Sequence, residues 1–181
     1  MAERAGDLEL AERYDAGCEA YDELYAGEQE EKYRVVLRLL RPRGRVVDVG
    51  CGSGLLIDHL VSSGLMKEVE LYVCVDVSSC MLGLAMRRVA ACGGRCVLVQ
   101  ADAYSLPFKA SSFDVAYSIS VVSLLERPRD AMAEILRVSR QAVITAPLKL
   151  GDPGAPKGWR RAGVVGPDVI YASLQDQSVV M

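Results

Sequence analysis

Val46-Val47-Asp48-Val49-Gly50-Cys51-Gly52-Ser53-Gly54-Leu55 is the stretch that decides the fold. A short β-branched apolar run gives way to three alternating glycines and then to an apolar helical start. Asp48 stands two positions before the first glycine. Glycine reaches backbone conformations that other residues resist, and its missing Cβ lets another group approach the main chain. The following helix leaves N–H groups unpaired in its first turn, aimed at whatever lies over the glycines.

Outward from this turn the chain alternates. Apolar, β-branched runs at 45–49, 70–75, 96–99, 113–119 and 142–145 read as strands, and 55–63, 79–91 and 129–138 read as helices. Near-continuously apolar strands separated by helices predict a parallel sheet covered on both faces. Pro107 and the missing helical period make 103–112 a loop. Before the sheet, Asp7 caps a first helix whose stripe is Tyr14, Cys18, Tyr21 and Tyr25, and 28–40 forms a second helix. After Pro147 a Gly- and Pro-rich linker leads to a helical turn at 159–162. Strands at 169–174 and 178–181 then form a hairpin. The expected organisation is one domain over 1–181: an N-terminal helical cap at 1–43, a core at 44–147 and a short linker and hairpin at 148–181.

The 181 residues suffice for one sizeable core. A formal net charge of −3 gives no basic footprint for nucleic acid, and Arg87-Arg88 and Arg160-Arg161 read as solvated helix ends and loops. No apolar run has the length of a membrane span, and the N-terminus lacks the apolar stretch of a signal peptide, so a cytoplasmic location is expected. Six cysteines without a C-x-x-C pair, with one histidine, argue against zinc. They read as free buried thiols in a reducing compartment. His59 reads as a satisfied helical side chain rather than a base.

In an open α/β sheet, ligands bind outside the carboxyl ends of the strands. Three polar signals fall there: the glycine turn, Asp76 closing Leu71–Asp76, and Asp102-Ala103 after Val97–Gln100. A carboxylate at Asp76 can accept both hydroxyls of a ribose. Asp102 with a neighbouring backbone N–H can read an adenine amino edge. A dinucleotide fingerprint requires G-x-G-x-x-G, and Leu55 stands where its third glycine belongs. Asp48 instead suits a cationic ligand with an ammonium and a sulfonium.

The segment Val46–Leu55, Asp76-Val77 followed by Ser78 and Met81-Leu82, and Gln100–Ala103 together resemble the class I S-adenosylmethionine-dependent methyltransferases. Leu106-Pro107-Phe108 followed by Ser112-Phe113-Asp114-Val115 resembles their small "type 11" domains. The resemblance implies a doubly wound, mostly parallel α/β sheet of order 3-2-1-4-5-7-6, strand seven antiparallel, beneath the N-terminal helical cap. It implies that Asp48, Gly50, Cys51, Gly52 and Gly54 hold the methionine end of the cofactor. Asp76 would take the ribose, Val77 would pack on the adenine, and Asp102 and Ala103 would take the adenine edge. Ser118 would offer backbone contacts to the amino-acid part, and Tyr21 would close over the cofactor. The product would be S-adenosylhomocysteine. No metal and no particular catalytic residue is implied.

The acceptor stays open among a small molecule, RNA and protein. Ser120–Glu126, where the family places acceptor-specific residues, lacks an Asn-Pro-Pro-Tyr type motif. A small activating subunit or a homodimer is compatible with this reading. A non-catalytic cofactor-binding subunit remains the alternative, ahead of a nicotinamide-dependent dehydrogenase.

Overall fold

The computed structural model describes residues 12, 14–16, 18 and 21–174. Helix α1 (Tyr21–Leu39) precedes β1 (Gly44–Val49), α2 (Leu55–Ser62), β2 (Val69–Asp76), α3 (Ser79–Val89) and β3 (Cys96–Gln100). There follow β4 (Phe113–Ile119), α4 (Pro128–Val138), β5 (Ser139–Pro147), β6 (Arg160–Val165) and β7 (Asp168–Ser173). The sheet runs β3-β2-β1-β4-β5-β7-β6, as expected from the resemblance. β1 through β5 pair in parallel, and β7 is antiparallel to β5 and to β6.

Side chains alternate across a strand, so each inner strand feeds two cores. Val46, Tyr72, Tyr117 and Val143 pack with Leu37 of α1, Leu60 of α2 and Ala85 of α3. Val47, Val73, Ala116 and Ile144 pack with Met132 and Ile135 of α4 on the opposite face. This double burial explains why the strands read as unbroken apolar runs. Pro128 starts α4, where a missing N–H costs nothing. Ser78 caps α3: its Oγ accepts the Met81 N–H at 3.1 Å. Asp114 at the start of β4 accepts the Arg45 N–H at 2.9 Å and ties β1 to β4.

Three local expectations are corrected. In place of the predicted helical turn at 159–162, strand begins at Arg160, and the terminal hairpin joins β6 to β7. The proposed strand 178–181 and the Asp7 cap lie outside the described residues. The tyrosine stripe is not buried along its length: Cys18 is buried, but Tyr25 within α1 is 42% exposed. The side chain of Tyr21 lies outside those described.

The cysteines are not free thiols. They pair as Cys18–Cys80, Cys51–Cys74 and Cys92–Cys96. The first fastens the chain before α1 to α3 and spans 62 residues. Loop closure of that size stabilises by about 4 kcal/mol in the chain-entropy account, and native crosslinks typically contribute about 2–4. A C18A/C80A variant is expected to lose an amount in that range in a urea titration. An unchanged midpoint would contradict the crosslink. Among the described residues, no helix is long and apolar enough to cross a membrane.

Candidate functional site

The glycine turn leaves β1 at the middle of the sheet. The Gly50 and Cys51 N–H groups donate to the Val75 carbonyl of β2 at 2.8 and 3.0 Å. The Gly52 N–H donates to Asp76 Oδ2 at 2.8 Å, and the Ser78 N–H donates to Asp76 Oδ1 at 3.0 Å. Asp76 therefore braces the turn as well as ending β2. Burial raises its pKa from the ordinary aspartate value, against the pull of the backbone N–H groups it accepts. Gly50 has φ +76°, and a Cβ there would lie 2.4 Å from Val121 Cγ2. Its glycine identity is set by the close approach of the segment after β4. Gly54 has φ +84° and faces Ala85 of α3 and Ile57, so it serves helix packing.

Over the turn lies a cleft of about 770 Å³, its open mouth included. Gly50, Gly52, Val75, Asp76 and Val77 form one wall with Met81. Ala101, Asp102 and Ala103 close one end. Ile119, Ser120, Val121, Leu124 and Leu125 form the facing wall, and Tyr14 reaches in from the N-terminal segment. Asp102 Oδ1 accepts the Tyr104 N–H at 2.8 Å, which holds its carboxylate in a tight turn. No lysine, arginine or histidine lines the cleft among the described residues.

A smaller polar chamber lies beside it, with Gly50 and Ile119 lining both. Gln29, Tyr33, Asp48, Cys51 and Ser53 also line it. Asp48 is 3% exposed, and the Tyr72 hydroxyl donates to its Oδ2 at 2.7 Å. Burial pushes the Asp48 pKa up to about 7 against the pull of that hydrogen bond, and the charge of Asp76 adds to the rise. Gln29 Oε1 is buried and has no hydrogen-bond partner among the described residues. A buried orphan acceptor costs about 1–3 kcal/mol, so a donor entering this chamber is favoured.

The structure thus brings Gly50, Gly52, Asp76, Val77, Asp102 and Ala103 to one cleft and Asp48 and Cys51 to the adjoining chamber. Gly54 and Ser118 line neither. Ser118 is fully buried because β4 continues through Ile119, and the lining residues begin where the strand ends. His59 Nδ1 lies 2.8 Å from Glu30 Oε2 on α1, a satisfied helical pair outside the cleft. Glu126 is exposed and outside it as well. Gln29, Ile119 and Val121 carried no signal in the sequence, because their place depends on how α1 and β4 dock on β1.

Residues 47–144 match the family described as "Methyltransferase domain". The chain is 29% identical to the malonyl-[acyl-carrier protein] O-methyltransferase of Halorhodospira halophila, over 87% of this chain and 48% of that one. It is 31% identical to the ubiquinone/menaquinone biosynthesis C-methyltransferase of Ectopseudomonas mendocina, over 70% and 49%. The chain spans about half the length of these relatives. Among solved structures it shares its fold with the magnesium protoporphyrin IX methyltransferase of Synechocystis, solved with S-adenosylmethionine bound. The TM-score there is 0.68, at 16% identity over 93% and 97% of the two chains. The methyltransferase in complex with the Trm112 activator of Haloferax volcanii gives a TM-score of 0.64, at 21% identity over 74% and 60%.

Proposed function

The chain belongs to the S-adenosylmethionine-dependent methyltransferase domain family, and on that premise we propose that its cleft binds this cofactor and presents the methyl group to an acceptor held beyond Ser120. The observation that carries the reading is Asp76. Its carboxylate closes β2, holds the glycine turn and lines a cleft with no cationic side chain among the described residues. A pyrophosphate would find neither a positive partner there nor the third glycine of a dinucleotide turn. A ribose finds a carboxylate, and an adenine finds Val77 and the Asp102-Ala103 end. Asp48 and the orphan Gln29 oxygen supply two acceptors for an ammonium in the side chamber.

The cofactor supplies a methyl group on a sulfonium, already activated for in-line displacement. The work left to the protein is alignment and exclusion of water, and such positioning contributes roughly 7–11 kcal/mol of barrier lowering. The apolar wall of Ile119, Val121, Leu124 and Leu125 suits that work. The acceptor class is not read from the relatives. One is named for transfer to oxygen and the other for transfer to carbon, and both are about twice as long as the matched segment. The activator-bound neighbour supports a small partner protein as part of the working unit.

Calorimetric titration with S-adenosylhomocysteine tests the reading, with NAD as competitor. Saturable one-to-one binding that NAD does not displace is expected. No binding with ligand at about 1 mM, weaker than roughly −4 kcal/mol, would refute it. Binding without transfer to any fraction of a cell extract would favour the non-catalytic subunit.

The proposed ammonium site has a pH signature. The Tyr72 hydroxyl donates to Asp48, Tyr33 shares its chamber, and the Asp76 carboxylate and the more distant Tyr117 hydroxyl, which donates to the Leu40 carbonyl, feel its charge. Burial raises Asp48 from 3.8 to about 7, so the folded chain keeps a proton that the unfolded chain releases. In the ligand-free protein this favours folding at low pH and is lost as pH rises through 7. An ammonium beside Asp48 reverses the preference toward the carboxylate. Homocysteine-end binding is therefore expected to release a proton below pH 7 and to strengthen as pH rises toward 7. D48N should flatten most of that slope, leaving the smaller part due to Asp76. Titrations in two buffers of different ionisation heat measure the released proton. No release below pH 7 would contradict the placement.

A further inference from the structure

The residue that turns the chain from β4 into the far wall of the cleft, Ser120, has φ +62°. A side chain in the left-handed region persists when its surroundings hold it there, and such residues gather at functional sites. The surroundings here are specific. The Ser120 N–H donates to the Thr145 carbonyl at 3.0 Å and to Thr145 Oγ1 at 2.9 Å. Its hydroxyl donates to Asp168 Oδ2 at 2.7 Å and accepts from Lys32 Nζ at 2.7 Å. Lys32 and Asp168 pair at 3.0 Å with their side chains 2% and 0% exposed. Glu28 takes another Lys32 proton at 2.6 Å, so the ammonium donates to two oxygens and is ion-paired with a third. Thr145 Oγ1 donates to the same Asp168 oxygen at 2.6 Å.

This network is spent inside the protein and offers the cleft no charge. Its consequence for the cleft is mechanical. Val121, the next residue, packs against the glycine turn at Gly50. Ser120 and Val121 both line the cleft, whereas Lys32 and Asp168 do not. We infer that Lys32 of α1 and Asp168 of β7 are positioning residues that lock Ser120 in its left-handed turn and thereby hold Val121 and the far wall against the glycine turn. The two ends of the domain, remote in sequence from the cofactor turn, then set how well the cleft receives its ligand. The inference rests on the proposed use of S-adenosylmethionine.

Substitutions separate this from a stabilising role alone. S120A keeps a Cβ at the strained angle and removes both anchors. S120G removes the anchors but reaches the angle freely. S-adenosylhomocysteine affinity, read by calorimetry, should fall about tenfold or more in S120A, and S120G should recover most of that loss. K32M/D168L deletes the clamp without leaving an unpaired buried charge. It should weaken binding by about tenfold in the Ser120 protein and by about twofold or less in the S120G background. Should S120A fail to fold, the K32M/D168L pair of measurements decides. Variants that bind as tightly as the parent while their melting temperatures shift would overturn the inference. Equal losses for K32M/D168L in both backgrounds would also overturn it. A parent protein that binds no S-adenosylhomocysteine fails the underlying reading and takes this inference with it.

Discussion

D76A is expected to abolish measurable S-adenosylhomocysteine binding under conditions where the parent protein saturates. Two losses combine. The carboxylate accepts the Gly52 and Ser78 N–H groups, so its removal unties the glycine turn from the end of β2. It also removes the one carboxylate placed to accept ribose hydroxyls on that wall. Hydrogen bonds to a charged group contribute about 1.5–3 kcal/mol each, so losing two corresponds to roughly a hundredfold or more in affinity. D76N separates the parts. Its amide oxygen still accepts one turn N–H, so it should fold like the parent yet bind about tenfold or more weaker. A D76A protein that binds like the parent would remove Asp76 from the site.

The second large effect concerns stability. D168A leaves Lys32 buried with its Asp168 partner gone, and Ser120 and Thr145 without their shared acceptor. Breaking a buried pair from one side costs about 3–5 kcal/mol, while replacing both charges by apolar groups is often neutral. Urea unfolding should therefore place D168A that far below the parent and K32M/D168L much closer to it. If D168A loses less than about 1 kcal/mol, the pair is solvated in the protein rather than buried as described.

The inner sheet was legible because burial on both faces writes itself as apolar runs, and Phe113–Ile119 was read to the residue. The hairpin was not. β6 carries Arg160, Arg161 and Gly163 on an edge with most residues exposed, so its composition is that of a loop. Its Gly163 sits where the β6–β7 register shifts. The strand-end carboxylates Asp76 and Asp102 were legible because topology places them at one end of a parallel sheet. Ser118 entered the site only through the resemblance; it lies inside the strand, and the residues lining the cleft begin at Ile119. The disulfides were invisible because pairing depends on which strands and helices become neighbours. Cys51 and Cys74 lie 23 residues apart yet meet where the glycine turn after β1 lies against β2. Gln29 and Lys32 illustrate the same limit: both read as polar positions on a helix, and both become buried only when α1 docks on the sheet.

The most direct test of the whole account is a crystal structure of this chain with S-adenosylhomocysteine. The account predicts ribose hydroxyls on Asp76, adenine between Val77 and the Asp102-Ala103 end, and the amino group in the chamber of Asp48 and Gln29. A ligand lying elsewhere, or with its amino-acid end turned away from that chamber, would contradict it.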